Sequence, residues 1–307
     1  MMAPARAAST ASVIPTTDAP LEVAITVDDL PRHGQDVPSV TRLAIHQKLL
    51  DAFAKHRVPE VYGFVNAQKL EGHPEDRAAL EAWLAAGHPL GNHTYSHPAI
   101  DKLSLDAYLA DIDRNEAILR ELAAARGQSD ATWKVFRYPF LREGTDLASR
   151  AKIREHLASR GYRIAEVTID FYDWAFNNPY ARCLAKKDER SLKALRETFL
   201  ENARVQLAWS DATAKALFGR RVKQVMLLHV GPFDAEMIDA MLTEYEKAGV
   251  RFVSFTDAMT DPIYRDEPKV PASIRGHFFF QIMKSRGGAW PMPAPLQPDD
   301  LLDAICR

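Results

Sequence analysis

Two histidines, His93 and His97, stand four residues apart in the segment GNHTYSH. Residues at this spacing share one face of a helical turn, so both imidazole rings can reach a single ion there. Imidazole nitrogen is a ligand for zinc and for its neighbours among the transition metals. Two unrelated surface histidines give the same pattern, so the pair indicates a metal site only if a third ligand accompanies it.

Two adjacent carboxylates, Asp28 and Asp29, end the apolar segment LEVAITVDD. Side chains alternate along a strand, but at a strand end this alternation breaks down and both groups can serve one site. Burying two carboxylates without a cation is unfavourable, and a bound metal ion removes that penalty. The apolar strand before them favours this interpretation over a pair of capping or solvent-facing aspartates.

One carboxylate and the two histidines form a three-ligand set that leaves positions open for water and substrate. A metal in such a site makes water acidic enough to be deprotonated near neutral pH, and the second aspartate is then available as the general base. His229 ends the apolar segment VMLLH and is the candidate general acid. His33, which closely follows Asp29, is a candidate substrate contact. No serine lies in a G-x-S-x-G segment, which disfavours a serine hydrolase.

Apolar segments that are typical of buried strands alternate with segments that are typical of helices. The predicted strands lie within segments 21–29, 58–66, 88–97, 132–140, 162–170, 222–230 and 250–259, and the strand in 88–97 is expected to be short and to run into a loop. The predicted helices are 39–56, 74–86, 104–126, 146–160, 188–218 and 234–248. This alternation predicts a parallel sheet with helices outside it, either doubly wound or closed into a barrel. Polar residues at many strand carboxyl ends favour the barrel, where these ends meet at one mouth.

We predict an α/β, barrel-like domain of about seven parallel strands over residues 21–262. Residues 1–20 are expected to form a flexible leader. The charged region 188–218 is expected to form two helices. The Pro-rich region 263–307 is expected to be a mostly irregular C-terminal extension that packs on the barrel.

The composition limits the classes of partner that this chain can bind. The 39 Lys and Arg residues nearly balance the 41 Asp and Glu residues, which argues against nucleic acid as the main partner. No stretch approaches the roughly 18–20 apolar residues of a membrane span. Cys183 and Cys306 are too few for a disulfide framework, and two free thiols are favoured over one long-range disulfide.

The leader gives a limited indication of where the protein works. Its small residues and prolines lack the apolar run of a signal peptide. An Ala-rich leader is also what remains when a signal peptide is absent from the chain. The sequence therefore favours a periplasmic or secreted protein and leaves a cytoplasmic location open.

Five segments resemble, in order, the signature motifs of the polysaccharide deacetylases of the NodB-homology group, which are metal-dependent carbohydrate esterases. They are Thr26-Val27-Asp28-Asp29, His93-Thr94-Tyr95-Ser96-His97, Arg137-Tyr138-Pro139-Phe140, Asp170-Phe171-Tyr172-Asp173-Trp174 and Leu227-Leu228-His229. Each motif is weak alone, but five in the family's order, each at a predicted strand end, give a specific signal. The resemblance covers about residues 22–257 and implies a distorted (β/α) barrel.

The resemblance implies a metal centre and a pair of proton-transfer groups. It implies that the metal, commonly zinc with cobalt or nickel as alternatives, is held by Asp29, His93 and His97. It also implies that Asp28 is the general base, that Arg137 orients it, that His229 is the general acid and that Asp173 holds this imidazole.

The resemblance further implies a substrate-binding set of Tyr138, Phe140, Trp174 and Leu227. The backbone N–H of Phe140 would stabilise the oxyanion, and Trp174 and Leu227 would line a small pocket for the acetyl methyl group. The implied activity is that of a hydrolase of linear amides other than peptides, which removes acetyl groups from N-acetylated glycans or oligosaccharides. O-acetyl esters, a small non-sugar amide and a catalytically silent carbohydrate-binding homologue are the alternatives.

The chain departs from the family pattern in two places. Leu30 and Pro31 follow the aspartate pair where the family has glycine, so the loop there must differ. The helical segment 175–222 between the fourth and fifth motifs is a candidate insertion. Both changes are expected to reshape the groove and to restrict it to chain ends or short substrates, while the candidate ligands are unchanged.

Overall fold

The computed structural model describes residues 19–38, 40–265, 267–270, 276–288 and 293–307. The leader predicted for residues 1–20 therefore falls almost wholly outside the described residues. Ser39, the predicted first residue of the first helix, also lies outside them.

The described chain forms one parallel sheet of seven strands. They are β1 (Leu21–Leu30), β2 (Tyr62–Val65), β3 (Leu90–Asn92), β4 (Val135–Phe136), β5 (Arg163–Ile164), β6 (Gln224–His229) and β7 (Val250–Phe252). Their order across the sheet is β5-β4-β3-β2-β1-β6, and β7 pairs with the first residues of β1. Each strand falls inside the segment predicted for it, except that β1 extends one residue beyond its segment.

The segment after β5 brings the two edges of the sheet together. Ala165 donates a backbone hydrogen bond to Phe136 of β4, and Ile169 forms a parallel bridge to Met226 of β6. One short stretch of chain therefore contacts both ends of the strand order. With helices packed on the outside of the sheet, this arrangement confirms the predicted distorted (β/α) barrel.

The helices that the structure describes surround this sheet and extend beyond it. They are α1 (Arg42–Lys55), α2 (Arg77–Ala85), α3 (Leu105–Ala124), α4 (Asp130–Trp133), α5 (Leu147–Ser159), α6 (Asn177–Lys186), α7 (Glu189–Phe218), α8 (Pro232–Lys247), α9 (Phe255–Ala258), α10 (Phe278–Ser285) and α11 (Asp299–Ala304). Thr41, Ser104 and Asp146 cap the first turns of α1, α3 and α5, as expected for these residue types. Among these helices none combines the length and the apolar character that crossing a membrane requires.

The region 188–218 forms a single helix, so the prediction of two helices is wrong. Asp188 caps α7 by accepting a hydrogen bond from Ser191, and Gly219 ends it in a left-handed conformation with φ 67°. No glycine or proline lies between these two residues, and nothing in the sequence interrupts the helix.

The chain after β7 is more helical than predicted. The segment 250–259, which was predicted to hold the last strand, contains β7 in its first three residues, and Ser254 then caps the short helix α9. The extension 263–307, expected to be mostly irregular, contains α10 and α11. Phe278 and Phe279 of α10 are buried against Ala214 of α7, which gives this helix an apolar face to pack.

A disulfide joins Cys183 of α6 to Cys306, so the preference for two free thiols is wrong. The two Cα atoms lie 5.2 Å apart, within the range that a disulfide requires. The guanidinium of Arg182 donates to the carbonyl oxygens of Leu302 and Ile305 and holds the same contact. The sequence separation of 123 residues gave no local signal for this pairing.

The central position of β1 makes it a rigid support for the residues that follow. Val23, Ile25 and Val27 have no exposed surface. Strands that are buried on both faces are apolar along their length, which is the pattern seen in this segment. The carboxyl end of β1, with Asp28 and Asp29, therefore has a fixed place at the mouth of the barrel.

Candidate active site

A bulge at the end of β1 directs two adjacent aspartates into one pocket. Val27 pairs with Gly63 and Leu30 pairs with Val65, so β1 uses three residue steps where β2 uses two. Such a bulge re-aims side chains that would otherwise alternate. Both Asp28 and Asp29 consequently line the same cavity.

The loop after the aspartate pair differs from a glycine turn, as the sequence predicts. Asp29 itself adopts the left-handed conformation, with φ 71°. Leu30 completes β1 with a fully buried side chain, and the Leu30–Pro31 peptide bond is cis. The residue with positive φ is therefore Asp29, one position before the place where the family has glycine.

His93 and His97 face each other across a loop and not along a helical turn. The loop follows β3, and His97 has a φ of 55°. The two ring centroids lie 4.9 Å apart. The two histidines are therefore close, as predicted, but a tight turn of the backbone brings them together and not the i, i+4 spacing of a helix.

Three side chains each offer one potential ligand atom to a common point; they belong to Asp29, His93 and His97. These atoms lie within 4.8 Å of one another. Oδ1 of Asp29 is 3.4 Å from Nε2 of His97 and 3.9 Å from Nε2 of His93. Nδ1 of His93 donates to the carbonyl oxygen of Arg137 at 2.7 Å, which leaves Nε2 as the acceptor that faces the cluster.

The charge states of these groups suit a divalent cation. Burial lowers the pKa of both histidines, so their rings are neutral near pH 7. Burial alone would raise the pKa of Asp29, but Lys69, His97 and His33 together hold it well below its usual range. Oδ1 of Asp29 is buried and accepts no hydrogen bond from the described residues. A buried, ionised oxygen between two neutral imidazoles fits a metal such as zinc.

Arg137 holds Asp28 from inside the barrel. Its guanidinium has no exposed surface, and Nη1 donates to both oxygens of Asp28 at 3.2 and 3.4 Å. Nε donates to the carbonyl oxygen of Ala165 and Nη2 to the hydroxyl of Thr26, so the orientation of Arg137 is fixed. Burial raises the pKa of Asp28 to about 6, and Arg137 opposes that rise.

His229 lies beside Asp28 on the neighbouring strand. The two residues are paired in the parallel register of β1 and β6. Nδ1 of His229 donates to Oδ1 of Asp173 at 2.9 Å, and the backbone N–H of His229 donates to Oδ2 at 2.6 Å. Burial raises the pKa of Asp173 to about 7. Because Nδ1 is bonded to Asp173, Nε2 is the ring nitrogen that His229 can present to the pocket that it lines.

The pocket at this mouth has a volume of about 180 Å³. It is lined by Asp28, Asp29, His33, His93, His97, Phe140, Leu141, Asp170, Tyr172, Trp174, Leu227 and His229. Phe140 is 46% exposed and has a φ of 57°, so its ring stands at the rim. Left-handed residues cluster around this pocket, as backbone strain often does at functional sites.

Tyr138 is a predicted substrate-binding residue that lies away from the pocket. Its side chain is 2% exposed and packs in the main core, with its ring centroid 4.9 Å from that of Phe136. Adjacent residues of the third motif point in different directions, and Tyr138 points inward. The structure therefore places Tyr138 in the core and outside the set of residues that line the pocket.

Lys69 is a residue of this site that sequence reasoning missed. Its ammonium donates to the backbone carbonyl of Asp29 and to Oδ1 of Asn66, both at 3.1 Å, and lies 3.3 Å from Oδ1 of Asp29. The available signal was its position three residues after Asn66, a polar residue at the end of β2. His33, flagged as a candidate substrate contact, hydrogen-bonds to Oδ2 of Asp29 at 2.7 Å.

Comparison with known proteins agrees with this geometry. A family model described as polysaccharide deacetylase matches residues 16–165. Peptidoglycan-N-acetylglucosamine deacetylase of Bacillus cereus is 32% identical over 155 residues, which cover 50% of this chain and only 46% of that protein. Peptidoglycan-N-acetylmuramic acid deacetylase PdaA of Bacillus subtilis is 23% identical over 226 residues, which cover 73% of this chain and 68% of PdaA.

Solved structures share the fold. Peptidoglycan deacetylase PdaC from Bacillus subtilis aligns with a TM-score of 0.51 at 17% identity, over 80% of this chain and 92% of that chain. BA3943 of Bacillus anthracis, a CE4 family pseudoenzyme, aligns with a TM-score of 0.51 at 17% identity, over 80% of this chain and 66% of that chain. At such identities the likeness concerns the fold alone. Because one of these structures is a pseudoenzyme, the fold by itself does not establish catalytic activity.

The matched residues 16–165 include the first three motifs, with Asp28, Asp29, His93, His97 and Arg137. The parallel strands, the clustered side chains at their carboxyl ends and the curated relatives are mutually consistent. Through residues 16–165, the chain is identified with the polysaccharide deacetylase family.

Proposed function

We propose that this protein is a metal-dependent hydrolase that removes acetyl groups from N-acetylated sugars. The observation that carries the proposal is that a potential metal-ligand set, a further carboxylate and a further imidazole all line one pocket. Asp29, His93 and His97 offer a ligand set, while Asp28 and His229 flank it on adjacent strands. A site with ligands, a carboxylate and an imidazole in this arrangement can hydrolyse an amide without a covalent intermediate.

Asp29, His93 and His97 would hold the metal, with zinc expected first and cobalt or nickel as alternatives. The metal, when bound, supplies a Lewis acid that polarises the acetyl carbonyl and lowers the pKa of water. His93 is kept in the correct tautomer by its bond to the carbonyl of Arg137. Lys69 holds the backbone carbonyl of Asp29 and so supports the left-handed conformation that this ligand requires.

Asp28 is proposed as the general base and His229 as the general acid. Asp28 takes a proton from water as the water oxygen attacks the acetyl carbonyl carbon. Arg137 keeps Asp28 ionised and in place for this transfer. His229 then gives a proton to the departing nitrogen as the C–N bond breaks, and the products are acetate and a free amine.

The remaining walls of the pocket suit an acetamido group. Leu227 and Trp174 line it and would contact the acetyl methyl group. The backbone N–H of Phe140 is proposed to stabilise the developing oxyanion, and its exposed ring would contact the sugar. A cavity of about 150 Å³ accommodates benzene, so this one accommodates an acetamido group and part of a sugar ring.

The proposed substrate is an acetylated glycan or oligosaccharide outside the cytoplasm. The relatives from the two Bacillus species are named for peptidoglycan, which supports this class of substrate. The disulfide between Cys183 and Cys306 supports an oxidising compartment, where such bonds persist. The open mouth at Phe140 and Trp174 leaves room for a sugar chain to extend from the pocket.

The first experiment measures acetate release from short N-acetylglucosamine oligomers, using protein stripped by a chelator and then reloaded with zinc. We expect release only in the reloaded protein. The His97→Ala variant should bind less zinc in equilibrium dialysis, which tests the ligand set without relying on turnover.

Two results would overturn parts of this proposal. A folded protein that binds no zinc would refute the metal site. A zinc-loaded protein that releases no acetate from these oligomers would refute short N-acetylglucosamine oligomers as the substrate, and O-acetyl esters and small amides would then be assayed in their place.

A further inference from the structure

A second buried carboxyl group, Asp234, lies behind the pair formed by His229 and Asp173. It stands in the first turn of α8 and is 2% exposed. α8 packs against the turn that begins at Asp173, and the side chains of Asp173 and Asp234 lie close enough for each to alter the pKa of the other. Asp234 lies five residues beyond the last motif, at the start of the predicted helix 234–248, so motif spacing did not assign it to the site.

The hydrogen bonds around Asp234 are complete only if one of its oxygens carries a proton. Its Oδ2 accepts a bond from Nδ2 of Asn177 at 2.8 Å. Its Oδ1 is buried and, as an acceptor, has no partner among the described residues. Asp173 already accepts two bonds from His229, and a carboxylate has further lone pairs to accept a third.

The local packing holds Asp234 in this place. Asn177 at the start of α6 bonds to Asp234 through Nδ2 and accepts the backbone N–H of Phe233 through Oδ1. Gly231 lies directly against both side chains, and a Cβ atom there would come within 2.3 Å of Oδ2 of Asp234. The contact with Asp173 is therefore built by two helices and a glycine, and it does not depend on a mobile surface group.

We propose that Asp234 is a neutral carboxylic acid that donates a hydrogen bond to Asp173 and so positions Asp173 against His229. Asp234 is not one of the described residues that line the pocket, and it is a positioning residue. The inference rests on the proposed role of His229 as the general acid. In this arrangement the two buried carboxyl groups share one negative charge, which matches the single positive charge of a protonated His229.

The electrostatic surroundings support this distribution of charge. Burial raises the pKa of Asp234 well above its usual range, and the neighbouring Asp173 raises it further. Two buried carboxylates in contact cannot both ionise at neutral pH. The titratable groups that interact with the pair include His229, Asp170, His33, Tyr245 and Asp28.

The test compares Asp234→Asn with Asp234→Leu in the zinc-loaded protein. An asparagine at this position keeps a donor towards Asp173 and an acceptor towards Asn177, whereas leucine keeps neither. We expect an infrared difference spectrum, wild type minus Asp234→Asn at pH 7, to show the carbonyl band of a protonated carboxylic acid. The downfield N–H proton signal of His229 should persist in Asp234→Asn and shift in Asp234→Leu.

Turnover provides the second measurement. We expect kcat of Asp234→Asn to stay within about threefold of the wild type and kcat of Asp234→Leu to fall about tenfold or more, with KM unchanged. Asp261→Asn is the matched control, since Asp261 is also buried but caps the chain at the opposite end of β6. It should alter neither the neutral-acid band nor the His229 signal.

The outcomes separate this inference from the proposed function. A difference spectrum without the neutral-acid band, or an equal effect of both Asp234 variants on the His229 signal, overturns the inference. Unchanged kcat in Asp234→Leu overturns the positioning role. A wild type that releases no acetate refutes the deacetylase proposal, while the infrared and proton measurements still decide the state of Asp234.

Discussion

Gly231, between β6 and α8, has no room for a side chain. A Cβ atom at this position would lie 2.2 Å from Oδ1 of Asn177 and 2.3 Å from Oδ2 of Asp234. Ordinary van der Waals contact begins at 3.4 Å, so the change Gly231→Ala requires these groups to move by about 1 Å. Both are buried and held by helices, and neither can turn out into solvent.

The displacement reaches the site through Asp173, which holds His229. A misplacement of about 1 Å can lower turnover by about 10²-fold, and overpacking of this kind costs about 1–3 kcal/mol of unfolding free energy. We therefore expect kcat of Gly231→Ala to fall by about 10²-fold and its unfolding free energy to fall within that range. Zinc binding should be unchanged, because Asp29 lies on β1 and the two histidines, His93 and His97, lie in the loop after β3.

The assay pairs acetate release with urea unfolding in the wild type, in Gly231→Ala and in Gly72→Ala. Gly72 is the matched control, because a Cβ atom there meets no atom within 4 Å. The control should retain both its turnover and its stability. Wild-type turnover and stability in Gly231→Ala would refute the reasoning, and so would equal losses in the two alanine variants.

Three further predictions concern other parts of the chain. Asp28→Asn should lower acetate release by about 10²–10⁴-fold while zinc content in dialysis stays the same, and near-wild-type release would exclude Asp28 as the base. Burial lowers the pKa of His46 to about 4. Below pH 6.5, which is the usual pKa of histidine, His46 binds a proton in the unfolded chain but stays neutral in the native core. This difference lowers the free energy of unfolding by about 2 kcal/mol at pH 5. His46→Met should lose that much less between pH 7 and pH 5 in urea unfolding, and parallel pH profiles would contradict this. Cys306→Ser should lose about 2–4 kcal/mol under non-reducing conditions, and a midpoint equal to that of the wild type would show that the disulfide does not stabilise the fold.

The sequence was sufficient to predict the strands and where their polar ends meet. Buried parallel strands are apolar over their whole length, so segments such as 21–29 and 222–230 stand out without any tertiary information. The carboxyl ends of parallel strands meet at one mouth, and the polar residues there form the pocket that contains Asp28, His93 and His229.

The features that were not predicted depend on contacts distant in sequence or on backbone turns. The inward direction of Tyr138 and the loop geometry of His97 follow from local dihedral angles that no periodicity reports. The Cys183–Cys306 pairing joins residues 123 positions apart. The contact of Asp234 with Asp173 likewise arises only when α8 docks beside β6, which no motif spacing encodes.

The register of β1 and β6 places Asp28 directly opposite His229. Neighbouring strands lie about 4.8 Å apart, and this spacing is the same in every sheet. The separation of the backbone positions that carry the proposed proton acceptor and proton donor is therefore set by the sheet itself. Exchanges in the loops at the mouth can change the walls of the pocket while the interval between these two backbone positions stays constant.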